Sequence, residues 1–185
     1  PGNVGKTIGG EFEYSIVKTN QGKLLIATAL VDNVIKEAGI EEYETIKTLS
    51  GEELEGVLCK HPFLDRTSRV VLGSDDTIVV ELGTGTGAVH TAPGYGKEDY
   101  LCGLKNGLEI VVTVDGKGYQ TEGAGIFAGL KYDESNDKII EWLEENKFLL
   151  KKQKINHSYP HCWRCKNPII FRATEQWFCS VDKFK

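Results

Sequence analysis

The chain contains no methionine at all. Without an initiator residue, and with a start at Pro1-Gly2-Asn3-Val4, we expect a piece of a longer protein. Long apolar runs are missing too. None approaches the roughly 18 to 20 residues that a membrane span requires, and no basic stretch followed by an apolar segment opens the sequence. This predicts no membrane partner, no secretion and a cytoplasmic location. Cysteine is scarce and odd in number, with Cys59, Cys102, Cys162, Cys165 and Cys179 scattered or in one pair. That count argues against a disulfide framework and for a reducing compartment. A surplus of basic residues is also lacking. Lys and Arg number 22 against 27 Asp and Glu, a net charge of -5, which speaks against a free-standing nucleic-acid binder, because phosphate contacts need cations in excess.

The charge that is there is unevenly placed. Residues 1–146 carry a net charge of -12, residues 147–185 one of +7. About 40% of the residues are hydrophobic, which at 185 residues is enough for one substantial core. Apolar clusters at Tyr14 to Lys18 and Lys23 to Ala27, around Asn20-Gln21-Gly22, predict a β-hairpin. Leu30, Val31, Val34, Ile35 and Ala38 recur with helical spacing, with Thr28 available as a cap and Gly39 as a left-handed stop. Short β-type runs follow at Tyr43 to Leu49, Val57 to Lys60, Arg69 to Leu72 and Thr77 to Leu82. A helix is expected near Glu98 to Lys105, a strand at Ile110 to Val114, and a third helix beginning with Ser135 as its cap and carrying Ile139, Ile140 and Leu143 on one face. A basic strand is expected from Phe148 to Ile155. Cys, Trp, Pro and Arg concentrate from His157 onward, so we divide the chain at 1–155 and 156–185.

The most unusual stretch is Gly83-Thr84-Gly85-Thr86-Gly87-Ala88-Val89-His90-Thr91-Ala92-Pro93-Gly94-Tyr95-Gly96-Lys97-Glu98-Asp99-Tyr100. Gly83, Gly85 and Ala88 formally satisfy the dinucleotide fingerprint, but that motif must open directly into a helix, and Pro93 with its flanking glycines would break one. Two readings remain. In one, the stretch is a Gly-rich loop and Asp99 a carboxylate at a helix start, favoured by the macrodipole. In the other, glycines let the backbone approach a ligand while His90 and Asp99 project from either end of a rigid loop.

This eighteen-residue stretch is similar to the signature of the editing insertion of isoleucyl-tRNA synthetases, with looser relatives in the valyl and leucyl enzymes. His61-Pro62-Phe63 with Asp65-Arg66, and later His157-Ser158-Tyr159-Pro160-His161-Cys162-Trp163-Arg164-Cys165 and Phe171-Arg172-Ala173-Thr174-Glu175-Gln176-Trp177-Phe178, extend the resemblance over essentially the whole chain. It implies an α+β fold built on a closed or nearly closed antiparallel β-barrel with peripheral helices, and residues 156–185 returning to the synthetase's catalytic body. It also implies hydrolysis of valine misattached to the isoleucine tRNA, with valyl-adenylate, before transfer, as a further possible substrate. Asp99 matches the carboxylate that holds the α-ammonium group of the misattached amino acid, and His90 the residue that shapes the side-chain pocket; these are the catalytic candidates. Asn3 matches an asparagine that lines the site, and Gly85, Thr86, Gly87, Val89 and Thr91 join it as substrate-binding candidates. The family's Thr-Thr-Thr-Pro-Trp-Thr loop would precede Pro1, and Tyr95 stands where many relatives have His. The implied partners are the acceptor end of the valine-bearing tRNA and the remainder of the synthetase. A catalytically silent piece that binds the acceptor end is the alternative.

Cys162 and Cys165 have the spacing of a zinc knuckle, but they supply two of the four ligands that tetrahedral zinc takes. His157 or His161 could add a third, and a redox pair lacks a thioredoxin-like context. We expect no cofactor in this chain; the resemblance implies a partner Cys pair N-terminal to it in some relatives, through which the full-length enzyme could hold zinc. Lys147, Lys151, Lys152 and Lys154 read either as a solvated strand edge or as a phosphate-facing border. Trp163, Trp177 and Phe178 read as core or interface residues.

Overall fold

The computed structural model describes every residue except Thr84, Ile155, His157 and Lys185. Strand β1 (Gly5–Ile8) is followed by the hairpin of β2 (Glu13–Thr19) and β3 (Gly22–Ala27), with Asn20 and Gln21 as the turn. Helix α1 (Val31–Ala38) comes next and stops at Gly39, whose φ of 70° is a conformation that glycine adopts at no steric cost. Strand β4 (Tyr43–Ser50) leads into the single-turn helix α2 (Gly51–Leu54), started by a capping box in which Ser50 and Glu53 exchange side-chain-to-backbone bonds. Strands β5 (Leu58–Lys60), β6 (Thr67–Leu72) and β7 (Ala88–Thr91), then helices α3 (Lys97–Asn106) and α4 (Tyr132–Glu145), complete the regular elements of the site-bearing region.

The expected barrel is not what forms. The seven strands make two small open sheets, one in the order β5-β6-β1-β7 and one in the order β3-β2-β4. Closure would need the outermost strands to find partners. Instead β4 presents exposed side chains along nearly its whole length, and its Glu44 and Lys47 are charges of the kind that guard an edge. Strand β1 pairs in parallel with β6, so the β2-to-β5 segment is a crossover excursion and not part of one continuous meander.

Segments expected as further staves do not join a ladder. Residues 77–82 bury Thr77, Ile78 and Val80 while exposing Val79, so the alternation is present. They pack instead against the glycine at 73, where a Cβ would lie 3.2 Å from Thr7 and 3.3 Å from Val80. Residues 110–114 contribute only a bridge from Val114 to Gln120, and no strand appears among the described residues of 148–155. Strand β1 and strand β7, neither expected from the sequence, supply the antiparallel pair on which the candidate site stands. The helix starts also move. Thr28 opens a 3-10 turn before α1 and shares a hydrogen bond with Ser15, and α4 begins at Tyr132, three residues ahead of Ser135. Ser135 is fully buried inside the helix, donating to the Tyr132 carbonyl and accepting from Gln120.

The main core lies between α1 and the faces of both sheets. Val31, Val34 and Ile35 from α1 meet Tyr14, Val17 and Ile26 from the hairpin and Ile8 and Val70 from the other sheet. A smaller cluster of Val71, Ile78 and Cys102, with Val89 and Leu108, pins α3 beneath β6 and β7.

His61 adds a pH-sensitive contribution to this packing. It is 5% exposed, its Nδ1 accepts the Leu64 N–H at 3.2 Å, and Phe63 stands edge-on to the ring. Burial first, and the Arg66 guanidinium second, push its pKa down to about 4 from 6.5. A histidine held neutral in the fold stabilises it fully above the unfolded pKa and loses that contribution as pH falls from about 6.5 through about 4. Acidification to pH 4 is therefore expected to remove on the order of 3 kcal/mol through this residue. Urea titrations of the wild type and His61→Gln between pH 7 and 4 check this; equal slopes against pH would show that another group carries the acid sensitivity.

Candidate functional site

Strand β7 sorts the candidate residues by its alternation. His90 pairs with Lys6 across the antiparallel ladder, while Val89 and Thr91 turn to the opposite face, as period-two geometry requires. There the Thr91 hydroxyl is fully buried and lies 2.6 Å from that of Thr7, which in turn contacts Cys102 at 3.6 Å. Val89 packs with Val71, Ile78 and Cys102. These two residues hold the strand in place; His90 faces open space.

That space is a half-open cavity of about 250 Å³. Asn3, His90, Ala92 and Tyr95 form one side, and Thr113, Gln120, Tyr132, Asn136, Tyr159 and Phe171 complete it. Asn3 reaches it just ahead of β1, and both ends of its amide are engaged: Oδ1 accepts the Thr91 N–H at 3.2 Å and Nδ2 donates to Ser68 Oγ at 2.8 Å. It therefore ties the edge of β7 to β6 while lining the cavity. His90 is exposed by area, yet the bulk of the cavity wall on its inner side lowers its pKa, opposed by the nearby Asp99 carboxylate and reinforced by Lys6.

Asp99 sits half-buried in the first turn of α3, whose N-cap is Gly96. Its Oδ1 accepts the Ala92 N–H at 2.7 Å, and a Cβ on Gly96 would lie 2.5 Å from its Oδ2, so glycine there makes room for the carboxylate. Asp99 stands beside the cavity without lining it. The glycine-rich loop goes elsewhere. Thr86 O accepts the Ala27 N–H at 2.9 Å, and Gly87 O accepts the Tyr14 hydroxyl at 2.6 Å. A Cβ on Gly87 would collide with Ala27. Gly85 and Thr86 line a separate cavity of about 190 Å³ with Val34, Leu150 and Gln153. The structure thus brings Asn3, His90 and Asp99 to one place, docks Thr86 and Gly87 on the hairpin and leaves Gly85 at the separate cavity beside Val34.

Sequence reasoning missed Thr113, Gln120, Tyr132 and Asn136: Thr113 fell in the strand expected at 110–114 and Asn136 in the helix expected from Ser135, and periodicity assigns an element without saying which cavity it lines. Gln120 is 6% exposed, and among the described residues its Oε1 has no hydrogen-bond partner. The Ser135 hydroxyl, its proton committed to the Tyr132 carbonyl, accepts from Gln120 Nε2 at 3.0 Å, and this fixes which way the amide points. Tyr159 and Phe171 reach the wall from beyond residue 155, in a segment anchored by Arg172 to the Val114 carbonyl at 2.9 Å and by the Ala173 N–H to the Gly94 carbonyl at 2.7 Å. The expected division near Ile155 falls on a residue outside those described.

Cys162 and Cys165 lie in a tight turn closed by Cys162 N to Asn167 O at 2.8 Å and Lys166 N to Cys162 O at 2.9 Å. Backbone N–H groups of Cys165 and then Arg164 point at the Cys162 sulfur and lower its pKa. This favours thiolate, the form that binds metal, and suits half of a zinc site. Among the described residues no third Cys, His, Asp or Glu joins them in a cluster; His161 turns its Nδ1 to the Tyr159 carbonyl at 2.8 Å, and His157 lies outside the described residues. No helix among the described residues is long and apolar enough to cross a membrane.

No protein-family model matches the chain. Over all 185 residues it is 50% identical to the isoleucine–tRNA ligase of Caldicellulosiruptor bescii, and likewise 50% identical to that of Bacillus cereus; over 183 residues it is 49% identical to that of Petrotoga mobilis. The chain spans about a fifth of the length of these curated relatives. Among solved structures, one described as the crystal structure of GlLeuRS-CP1 superposes with a TM-score of 0.60 at 14% identity, covering 86% of this chain and 79% of that one. At that identity the likeness is one of fold.

Proposed function

The chain belongs to the isoleucine–tRNA ligase family, matching about a fifth of its members' length, and on that premise we propose that it is the editing domain that hydrolyses valine misattached to the isoleucine tRNA. The same site would act on valyl-adenylate. One observation carries the reading. The cavity of about 250 Å³ beside Asp99 and His90 is smaller than the roughly 300 to 1,000 Å³ typical of sites for larger ligands, which suits a small aliphatic amino acid.

The chemistry asks little of such a site. In an apolar pocket one methylene separates isoleucine from valine by only about 1 to 3 kcal/mol, a general figure for this very pair of amino acids and not one obtained from this structure. A second, smaller site that admits only valine corrects what the first lets through. The aminoacyl ester is already activated, so hydrolysis needs orientation, a stabilised oxyanion and water. In this proposal the Asp99 carboxylate holds the α-ammonium group through charge-assisted hydrogen bonds, with His90 and Asn3 as walls. No protein nucleophile is required; water or the ribose hydroxyl of the tRNA end completes the proton transfer. The acceptor end of the tRNA, the rest of the synthetase and the cytoplasm follow as partners and location. The net charge of +7 over residues 147–185 supplies a border for the phosphates.

A silent acceptor-end binding role has one observation in its favour: Asp99 does not line the cavity, and one of its oxygens is already bonded to Ala92. Incubation of the full-length protein with valyl-tRNA(Ile) separates the two. Release of valine well above the uncatalysed rate, with isoleucyl-tRNA(Ile) spared, is expected; tRNA binding without release of valine would leave only the silent role.

A further inference from the structure

We propose that Tyr95 is a specificity-determining partition whose ring closes one side of the cavity at His90 and Asn3 and thereby sets the largest side chain that the site accepts. The proposal rests on the editing reading above and deepens it.

Two cavities meet at this residue. Tyr95 lines both the cavity of about 250 Å³ and a neighbour of about 360 Å³ that is also lined by Pro93, Lys97, Tyr100 and Phe178. Tyr95 and Phe171 are the residues common to both walls. Phe171 is 52% exposed and belongs to irregular chain. Tyr95 is held much more firmly. Its hydroxyl accepts the Thr113 N–H at 2.6 Å and lies 2.8 Å from Thr113 Oγ1. Thr113 is itself 1% exposed and fixed by the Thr121 N–H donating to its carbonyl at 2.8 Å.

The ring is clamped from the other direction by Gly2. A Cβ there would overlap Cε2 of Tyr95 and lie 2.8 Å from Cδ2, so the absence of a side chain at position 2 makes room for this edge of the ring. Swinging the ring aside would strip the buried Thr113 N–H of its acceptor, a state that folded proteins avoid. A wall that cannot yield is what size selection requires. If the ring could move, the smaller cavity would open into the larger one and a side chain with one more methylene would fit. Of the two residues shared by both walls, Tyr95 is the one held in place, so the size limit on this side of the cavity falls to Tyr95, with His90 limiting the other.

The test measures single-turnover hydrolysis of valyl- and isoleucyl-tRNA(Ile) by the full-length protein carrying Tyr95→Ala, Tyr95→Leu or Tyr95→Phe, with thermal melts to establish folding. Joining the cavities in Tyr95→Ala and Tyr95→Leu is expected to raise isoleucyl relative to valyl hydrolysis by about tenfold or more, the order that one methylene commands. Tyr95→Phe, which keeps the ring and loses both hydroxyl contacts, should give a smaller rise. Tyr95→Leu carries the test should Tyr95→Ala fail to fold. An unchanged ratio in a folded Ala or Leu variant that still hydrolyses the valyl ester overturns the partition and leaves the editing reading intact. Absence of valyl hydrolysis in the wild type overturns both.

Discussion

Asp99→Ala is expected to lower hydrolysis of valyl-tRNA(Ile) by about a hundredfold or more, while attachment of isoleucine by the full-length enzyme stays near normal. Two effects combine. The ammonium group loses a charge-assisted contact worth about 1.5 to 3 kcal/mol, and an ester displaced by about 1 Å loses on the order of a hundredfold in rate. Because Asp99 also accepts the Ala92 N–H at 2.7 Å, the Ala variant disturbs the loop as well. Asp99→Asn separates the two roles. An amide oxygen can still accept from Ala92, and the first turn of α3 keeps a polar side chain, but the negative charge is gone. If the charge anchors the substrate, Asn is nearly as inactive as Ala with thermal stability close to that of the wild type. Wild-type rates in Asp99→Asn would mean that the carboxylate serves only the loop.

The second large effect concerns the fold that carries the site. Tyr14 is 0% exposed, its hydroxyl accepts the Gly9 N–H at 3.0 Å and donates to the Gly87 carbonyl at 2.6 Å. One side chain therefore fills the core under the hairpin and fastens both the turn after β1 and the glycine-rich loop. Tyr14→Ala should cost about 3 to 5 kcal/mol, as truncations of buried aromatics do. That is a large part of the roughly 5 to 15 kcal/mol that holds a domain together. In a chain of this size it corresponds to a melting temperature lower by about 6 to 20 °C. Tyr14→Phe keeps the ring but leaves a buried N–H and a carbonyl without partners, for about 1 to 3 kcal/mol. Urea unfolding followed by circular dichroism gives both values. A loss below about 1 kcal/mol for Tyr14→Ala would mean that the hairpin and loop are held by other contacts.

What the sequence alone determined was local. The hairpin around Asn20-Gln21, the helix ending at Gly39, the strand expected over 43–49 and the helix expected near 98–105 were legible because period and turn chemistry act within a few residues. So was the family, since an eighteen-residue run of glycine, threonine, His90, Pro93 and Asp99 is long enough to be specific. Tertiary structure decided everything that depended on distant pairing. Residues 77–82 carry a strand's alternation yet form no ladder, because a ladder needs a free edge and β6, the strand just before them, already has β5 and β1 on its two sides. The barrel failed for the same reason: β1 took β6 as a parallel neighbour, and β4 was left as a charged edge. The site follows this logic. His90 and Asp99 were visible in the motif, but Thr86 and Gly87 were drawn to the hairpin by Ala27 and Tyr14, and Gln120, Tyr132 and Asn136 entered the cavity wall although periodicity, even where it marked the helix of Asn136, says nothing of which cavity an element lines. A sequence specifies which backbone each residue can adopt; which residues share a cavity is set by how the two sheets and α4 pack, a matter of contacts between positions far apart in the chain.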